Sequence, residues 1–146
     1  GGAGDDILVG AGGNDLLLGG SDDDLMMGGY GADTFAFESG DAGSEGGAAV
    51  DTIADFTLGS VGSDTSADRL DLSDLLDGAE ASDISDYLVA SQQGDDTVLF
   101  VKSDGGLDVS GSNADQKIVL AGVSMEGASS QDFLDQLIQN GQLDVE

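Results

Sequence analysis

Asp6, Asp15, Asp24 and Asp33 recur at every ninth residue, each five places after a glycine (Gly1, Gly10, Gly19, Gly28) and two before a large apolar residue (Leu8, Leu17, Met26, Phe35). Carboxylates held in one phase of a repeat can serve as acid–base pairs or as ligands to a cation. The chain has no His and no Cys, so imidazole and thiolate ligands, disulfides and thiol nucleophiles are excluded together. What remains is oxygen chemistry from carboxylates and backbone carbonyls, which suits calcium and its six to eight oxygen ligands. Catalysis is not expected. No Ser sits in a G-x-S-x-G, and no G-x-G-x-x-G or G-K-[ST] loop is present to cradle a phosphate. A carboxylate pair could hydrolyse a glycoside, but with no Trp, two Tyr and five Phe there is no aromatic platform for a sugar.

The elements that must position these carboxylates follow from the same spacing. Residues 1–36 divide into four nonapeptides, Gly1–Val9, Gly10–Leu18, Gly19–Met27 and Gly28–Ala36. They follow the G-G-x-G-x-D-x-U-x pattern of calcium-binding parallel β-helix repeats. Six residues turn the chain and three form a short strand, so two nonapeptides complete one coil. The position-8 side chains point inward, and coils stack at about 4.8 Å. The loops of repeats one and three then lie on one edge, and those of two and four on the other. Asp6 faces Asp24, and Asp15 faces Asp33. Such pairs repel unless a cation lies between them. The remaining ligands are expected from the turns, at Gly1, Ala3, Gly4, Gly10, Gly12, Gly13, Gly19, Gly20, Ser21, Gly28, Gly29, Tyr30 and Gly31, whose uncovered backbone leaves carbonyls available. A merely flexible acidic segment would not keep three positions in phase through four copies. Two positions depart from the pattern: Ala11 replaces a second Gly, and Asp22 replaces a fourth-position Gly, where it either adds a ligand or distorts the turn.

Composition sets the limits. The 146 residues carry 30 Asp and Glu against 3 basic residues (Arg69, Lys102, Lys117), a net charge of −27. That excludes nucleic-acid binding through phosphates and disfavours anionic membranes. With 39% apolar residues the chain can still bury a core, and 25 Gly without Pro point to repeated tight turns rather than a linker. No run of about 18 apolar residues exists to span a membrane. No leader of basic then apolar residues opens the chain, and Gly1 falls inside a repeat, so further chain is expected upstream.

The last repeat runs into Thr34-Phe35-Ala36-Phe37, and Val50-Asp51-Thr52-Ile53-Ala54-Asp55-Phe56 and Asp68-Arg69-Leu70-Asp71-Leu72-Ser73 follow. With these motifs the chain resembles the RTX (repeats-in-toxin) family of type I secreted bacterial proteins over nearly its whole length. The remainder is similar to the C-terminal domain of very large RTX adhesins. The resemblance implies that Asp51 and Asp55 can ligate calcium; read from the residues alone, they equally suit acidic turns flanking a strand. It also implies an uncleaved secretion signal in the final tens of residues.

The expected fold is therefore all-β dominated, a right-handed parallel β-roll capped by a small β-rich region with short helices. Residues 1–37 form the calcium-binding roll, 38–76 a capping segment, and 77–146 the cap with the secretion-signal helix. Beyond the roll the pattern predicts a short helix over 71–76 (Leu72, Leu75, Leu76), a hairpin of 87–90 and 97–101 with the second strand covered on both faces, and strands at 107–109 and 117–120. A last helix follows Ser129, with Phe133–Leu137 and Leu134–Ile138 pairs and Gly141 as its stop. That helix suits an export signal, ordinary packing, or both in turn. Asp64-x-Ser66-x-Asp68 opens like an EF-hand loop, but Arg69 stands where Gly is required, and the match is rejected. The functional expectation is a calcium-dependent folding and export module of a secreted or surface-retained protein. Its expected partners are several calcium ions and the type I apparatus, in a monomer that is not an enzyme. An adhesin parent is favoured; an exported hydrolase, or a module that binds a ligand directly, is the alternative.

Overall fold

The computed structural model describes the chain apart from Glu45 and Asp77. Among the described residues, the regular elements are twelve strands, one α-helix and one 3-10 helix. Strands β1 (Gly2–Ala3), β2 (Ile7–Gly12), β3 (Leu16–Leu18), β4 (Gly20–Ser21), β5 (Leu25–Tyr30) and β6 (Thr34–Ala36) come from the nonapeptides. Strands β7 (Ala49–Ile53) and β8 (Arg69–Asp71) follow, then a 3-10 helix (Ala81–Asp86), β9 (Leu88–Gln93), β10 (Asp96–Val101), β11 (Gln116–Leu120), α1 (Ser130–Gln139) and β12 (Leu143–Asp144).

The strands stack in two columns. One runs β2-β5-β7-β11 in parallel and continues antiparallel through β10 and β9; the other runs β3-β6-β8-β12, all parallel. Stacked residues of the first two coils lie 18 positions apart, two nonapeptides per turn. The register brings Leu8, Met26, Ile53 and Leu120 into one row and Leu17, Phe35, Leu70 and Leu143 into the other. All but Leu8, which is partly buried on the first coil, are buried. The Phe35 and Phe56 rings meet at 6.2 Å between centroids. Position 7 and 9 side chains face out, leaving Ile7, Val9 and Leu16 exposed. Two short coils of strand cannot bury a core alone, and here β7, β8, β11 and β12 extend both rows.

The cap differs from expectation in three places. Residues 72–76 form a single turn rather than a helix, closed by the Leu76 amide on the Leu72 carbonyl at 2.9 Å, with Asp71 Oδ1 accepting from the Ser73 amide and hydroxyl and Leu72, Leu75 and Leu76 buried. Residues 107–109 form no strand, because Asp108 accepts from Ser110 N in a local turn, and Val109 is left exposed. Strand β10 buries Thr97, Leu99 and Val101 on one face only; the other is half-buried. The hairpin itself forms, with Gly94 and Asp95 as its two-residue turn and Gly94 at φ 64. Helix α1 is capped by Ser129, whose side chain accepts from Asp132 N, and buries Phe133, Leu134 and Leu137. Asp64 is spent on a local turn with Ser66.

Candidate metal centre

The repeats place their aspartates in two ladders, one on each edge of the coils. On the first edge Asp24 Oδ1 accepts the Asp6 amide at 2.8 Å, and Asp51 Oδ1 accepts the Asp24 amide at 2.8 Å. On the second edge Asp33 Oδ1 accepts the Asp15 amide at 2.8 Å, and Asp68 Oδ1 accepts the Asp33 amide at 2.9 Å. One oxygen of each carboxylate thus takes the place of a backbone carbonyl between coils. The second oxygen lies over the glycine that opens its own loop. A Cβ on Gly10 would stand 2.6 Å from Asp15 Oδ2, and Gly1, Gly19 and Gly28 are closed in the same way by Asp6, Asp24 and Asp33. Position 1 is glycine because the carboxylate fills the space a side chain would need.

Asp15 Oδ2, Asp24 Oδ2 and Asp33 Oδ2 are buried without any hydrogen-bond partner. A buried unpaired carboxylate oxygen costs several kcal/mol unless a donor or cation reaches it. Among the described residues no three acidic side chains converge, so a cation held by these oxygens would draw the rest of its shell from backbone carbonyls and water. The loops stack as that requires. Gly2 and Ala3 pair with Gly20 and Ser21, and Ala11 and Gly12 with Gly29 and Tyr30. The carbonyls of Gly19, Ser21 and Tyr30 accept the amides of Gly2, Gly4 and Gly13, and each keeps a second lone pair. The donor set of hard oxygens fits calcium.

The two departures from the repeat are resolved by geometry. Ala11 and Asp22 adopt φ of 82 and 79, the left-handed region that the replaced glycines would enter freely. Asp22 Oδ2 accepts the Gly4 amide at 3.1 Å, which offsets its strain, whereas Ala11 has no such compensation. Replacing Ala11 with glycine is therefore expected to stabilise the calcium-loaded fold by about 1 kcal/mol. Asp22→Gly should gain less. Thermal melts followed by circular dichroism check both.

Asp51 and Asp55 lie where the sequence places them, against the second coil. Asp51 Oδ2 accepts the Gln116 side-chain amide at 2.6 Å, and the Asp55 oxygens accept the Gly28 and Gly29 amides at 3.0 and 2.9 Å. Sequence reasoning missed Asp68, although Asp68-Arg69-Leu70 repeats the D-x-U end of each nonapeptide, and its Oδ2 accepts the Thr57 amide. It also missed position 5, where Asp5, Asn14 and Asp23 accept the amides of Asp23, Ala32 and Val50. Gln116 is distant from Asp51 in sequence, and no local pattern marks it.

Burial, reinforced by the Asp24 and Asp23 charges, pushes the Asp51 carboxyl up to about 7, against the opposing bonds from the Asp24 amide and Gln116. Burial, with the Asp33 and Asp55 charges, raises Asp68 to about 6 in spite of its bonds from the Asp33 and Thr57 amides. Both folded-state values lie above the ordinary carboxylate range, so the folded chain holds more protons than the unfolded one between about pH 4 and pH 7. Stability in that window falls as pH rises. In chelator, lowering the pH from about 7.5 to about 5 is expected to raise the sheet content of the chain. Circular dichroism across that range tests it, and sheet content that falls on acidification contradicts it.

Residues 1–43 match the RTX calcium-binding nonapeptide repeat, in four copies. The family match thus covers all four nonapeptides and runs seven residues beyond Ala36, and the chain carries calcium-binding RTX repeats. Among solved structures, the AlgE6R3 subunit from the Azotobacter vinelandii mannuronan C5-epimerase is 32% identical over 84% of this chain and 64% of its own, with a TM-score of 0.54. The extracellular lipase LipA from Serratia marcescens is 25% identical over 100% of this chain, with a TM-score of 0.49. The chain spans 64% of the first and 20% of the second. No curated protein matches it. Among the described residues, no helix is long and apolar enough to cross a membrane.

Proposed function

We propose that this chain is a calcium-dependent folding module of an exported protein, a parallel β-roll that orders only where calcium is abundant. The observation that carries this reading is the set of three buried, unpartnered carboxylate oxygens on Asp15, Asp24 and Asp33. Asp6, Asp15, Asp24 and Asp33 would hold the ions with turn carbonyls of the facing loops, and the bound charge offsets the repulsion within each ladder. Without calcium the net charge of −27 and the orphaned oxygens oppose folding, and the chain stays extended enough to pass a type I secretion channel. Extracellular calcium modules have Kd of about 10⁻⁴–10⁻³ M, so the ion binds outside the cell and stabilises the folded roll by mass action. Ordering at the exit then opposes backsliding. Helix α1 and the Leu143–Glu146 end serve as the export signal before they pack.

Circular dichroism in excess chelator and in about millimolar calcium tests the folding half. A large gain of sheet on adding calcium is expected, and equal sheet content in both conditions overturns it. For the parent protein, the 32% identity to an epimerase subunit favours an exported enzyme over an adhesin, with this chain as its accessory rather than its catalytic part. The domains that accompany this chain in its parent protein decide: a catalytic domain supports that reading, and long adhesive repeats overturn it.

A further inference from the structure

The third coil repeats the ladder of the first two but uses its carboxylates differently. In every coil after the first, Oδ1 of the ladder aspartate accepts the amide of the preceding one. The second oxygen separates the coils. On Asp24 and Asp33 it is buried and has no partner. On Asp51 it accepts Gln116 Nε2 at 2.6 Å, and on Asp68 it accepts the Thr57 amide at 2.8 Å. Asp55 likewise has both oxygens on backbone amides, those of Gly28 and Gly29. Asp51 and Gln116 are both buried, at 1% and 0% exposure, so water does not compete for this bond.

We propose that the third coil is metal-free, and that the Gln116 side-chain amide ends the metal ladder by supplying to Asp51 what calcium supplies to the coils before it. An amide donor satisfies a carboxylate oxygen as a neutral group, within hydrogen-bond reach and without further ligands, whereas a cation would need a shell of oxygens that Asp51 no longer offers. The chain would thereby hold fewer ions than its aspartate motifs imply, and Asp51 and Asp55 would be structural acceptors.

This inference rests on the calcium reading above, and the experiment separates the two. Calcium bound per chain at saturation is counted by native mass spectrometry and calorimetry, with folding followed by circular dichroism. Asp51→Asn keeps Oδ1 for the Asp24 amide. Its new Nδ2 can donate to Gln116 Oε1, which is buried without a partner, once that amide turns over. The expected result is a folded variant with the wild-type number of ions, while Asp24→Asn and Asp33→Asn bind fewer. Gln116→Glu replaces the donor with a second carboxylate facing Asp51, and is expected to bind one ion more than wild type. A folded Asp51→Asn that has lost an ion overturns the proposal, as does a Gln116→Glu with an unchanged count. Should Asp51→Asn not fold, the Gln116→Glu count decides alone. A wild-type chain that binds no calcium defeats the calcium reading instead.

Discussion

Asp33→Ala is expected to raise the calcium midpoint for folding by at least about tenfold, because it removes two different uses of one buried carboxylate. Asp33 is 1% exposed. Its Oδ1 accepts the Asp15 amide at 2.8 Å, and without it that amide loses its acceptor between the coils, at a cost of about 1–3 kcal/mol. Its Oδ2, unpartnered in the protein, is a candidate calcium ligand. Asp33→Asn separates the two uses, since it keeps the acceptor and removes the charge. The asparagine variant should then recover the backbone part of the loss and keep the calcium part. Calcium titrations followed by circular dichroism give the midpoints. Hydrogen exchange tells the edges apart: the loops at 10–15 and 28–33 should lose protection before those at 1–6 and 19–24. Equal midpoints for wild type and Asp33→Ala would remove Asp33 from the calcium site, and equal loss on both edges would contradict the paired loops.

Phe35→Ala carries the largest expected cost to stability, about 3–5 kcal/mol, a large part of the 5–15 kcal/mol typical of a domain. Phe35 is fully buried in the second row, stacked between Leu17 and Leu70 and facing the Phe56 ring at 6.2 Å. The coils above and below are fixed by strand pairing, so the space it leaves cannot readily collapse. The variant is expected to stay largely unfolded in chelator and to need more calcium to fold. Leu16→Ala, one register from the same row but exposed, should change stability by less than about 0.5 kcal/mol. Denaturant unfolding in saturating calcium measures both. Similar losses for the two would mean that the rows do not form the core.

The nonapeptide part was legible because its information is local and repeated. Glycine at position 1 and aspartate at position 6 report a turn closed over its own carboxylate. The apolar position 8 reports an inward side chain, and the repeat length sets which loops share an edge. Four copies in phase leave little room for another reading. Ser129 and Gly141 marked the last helix for the same reason, since a cap acts within one turn of chain. Short local turns defeated the pattern elsewhere. Asp108 took a neighbouring amide, so the apolar residues beside it could not impose a strand, and after Asp71 the chain closes one turn on Leu72 and goes no further.

The sequence by itself determined the repeat, its inward rows, an oxygen-only chemistry, and four aspartates held in one phase as candidate ligands. Only the tertiary structure decided where the ladders go after the last repeat. Strands β7 and β8, then β11 and β12, extend both rows across long intervening segments, and such pairings depend on packing between distant residues rather than on local spacing. It also decided what each carboxylate oxygen meets. The motifs around Asp51 and Asp68 read like those of the repeats, yet protein donors reach their second oxygens while those of Asp24 and Asp33 are buried with no protein donor. A donor arriving from another part of the chain leaves no trace in the residues beside its acceptor.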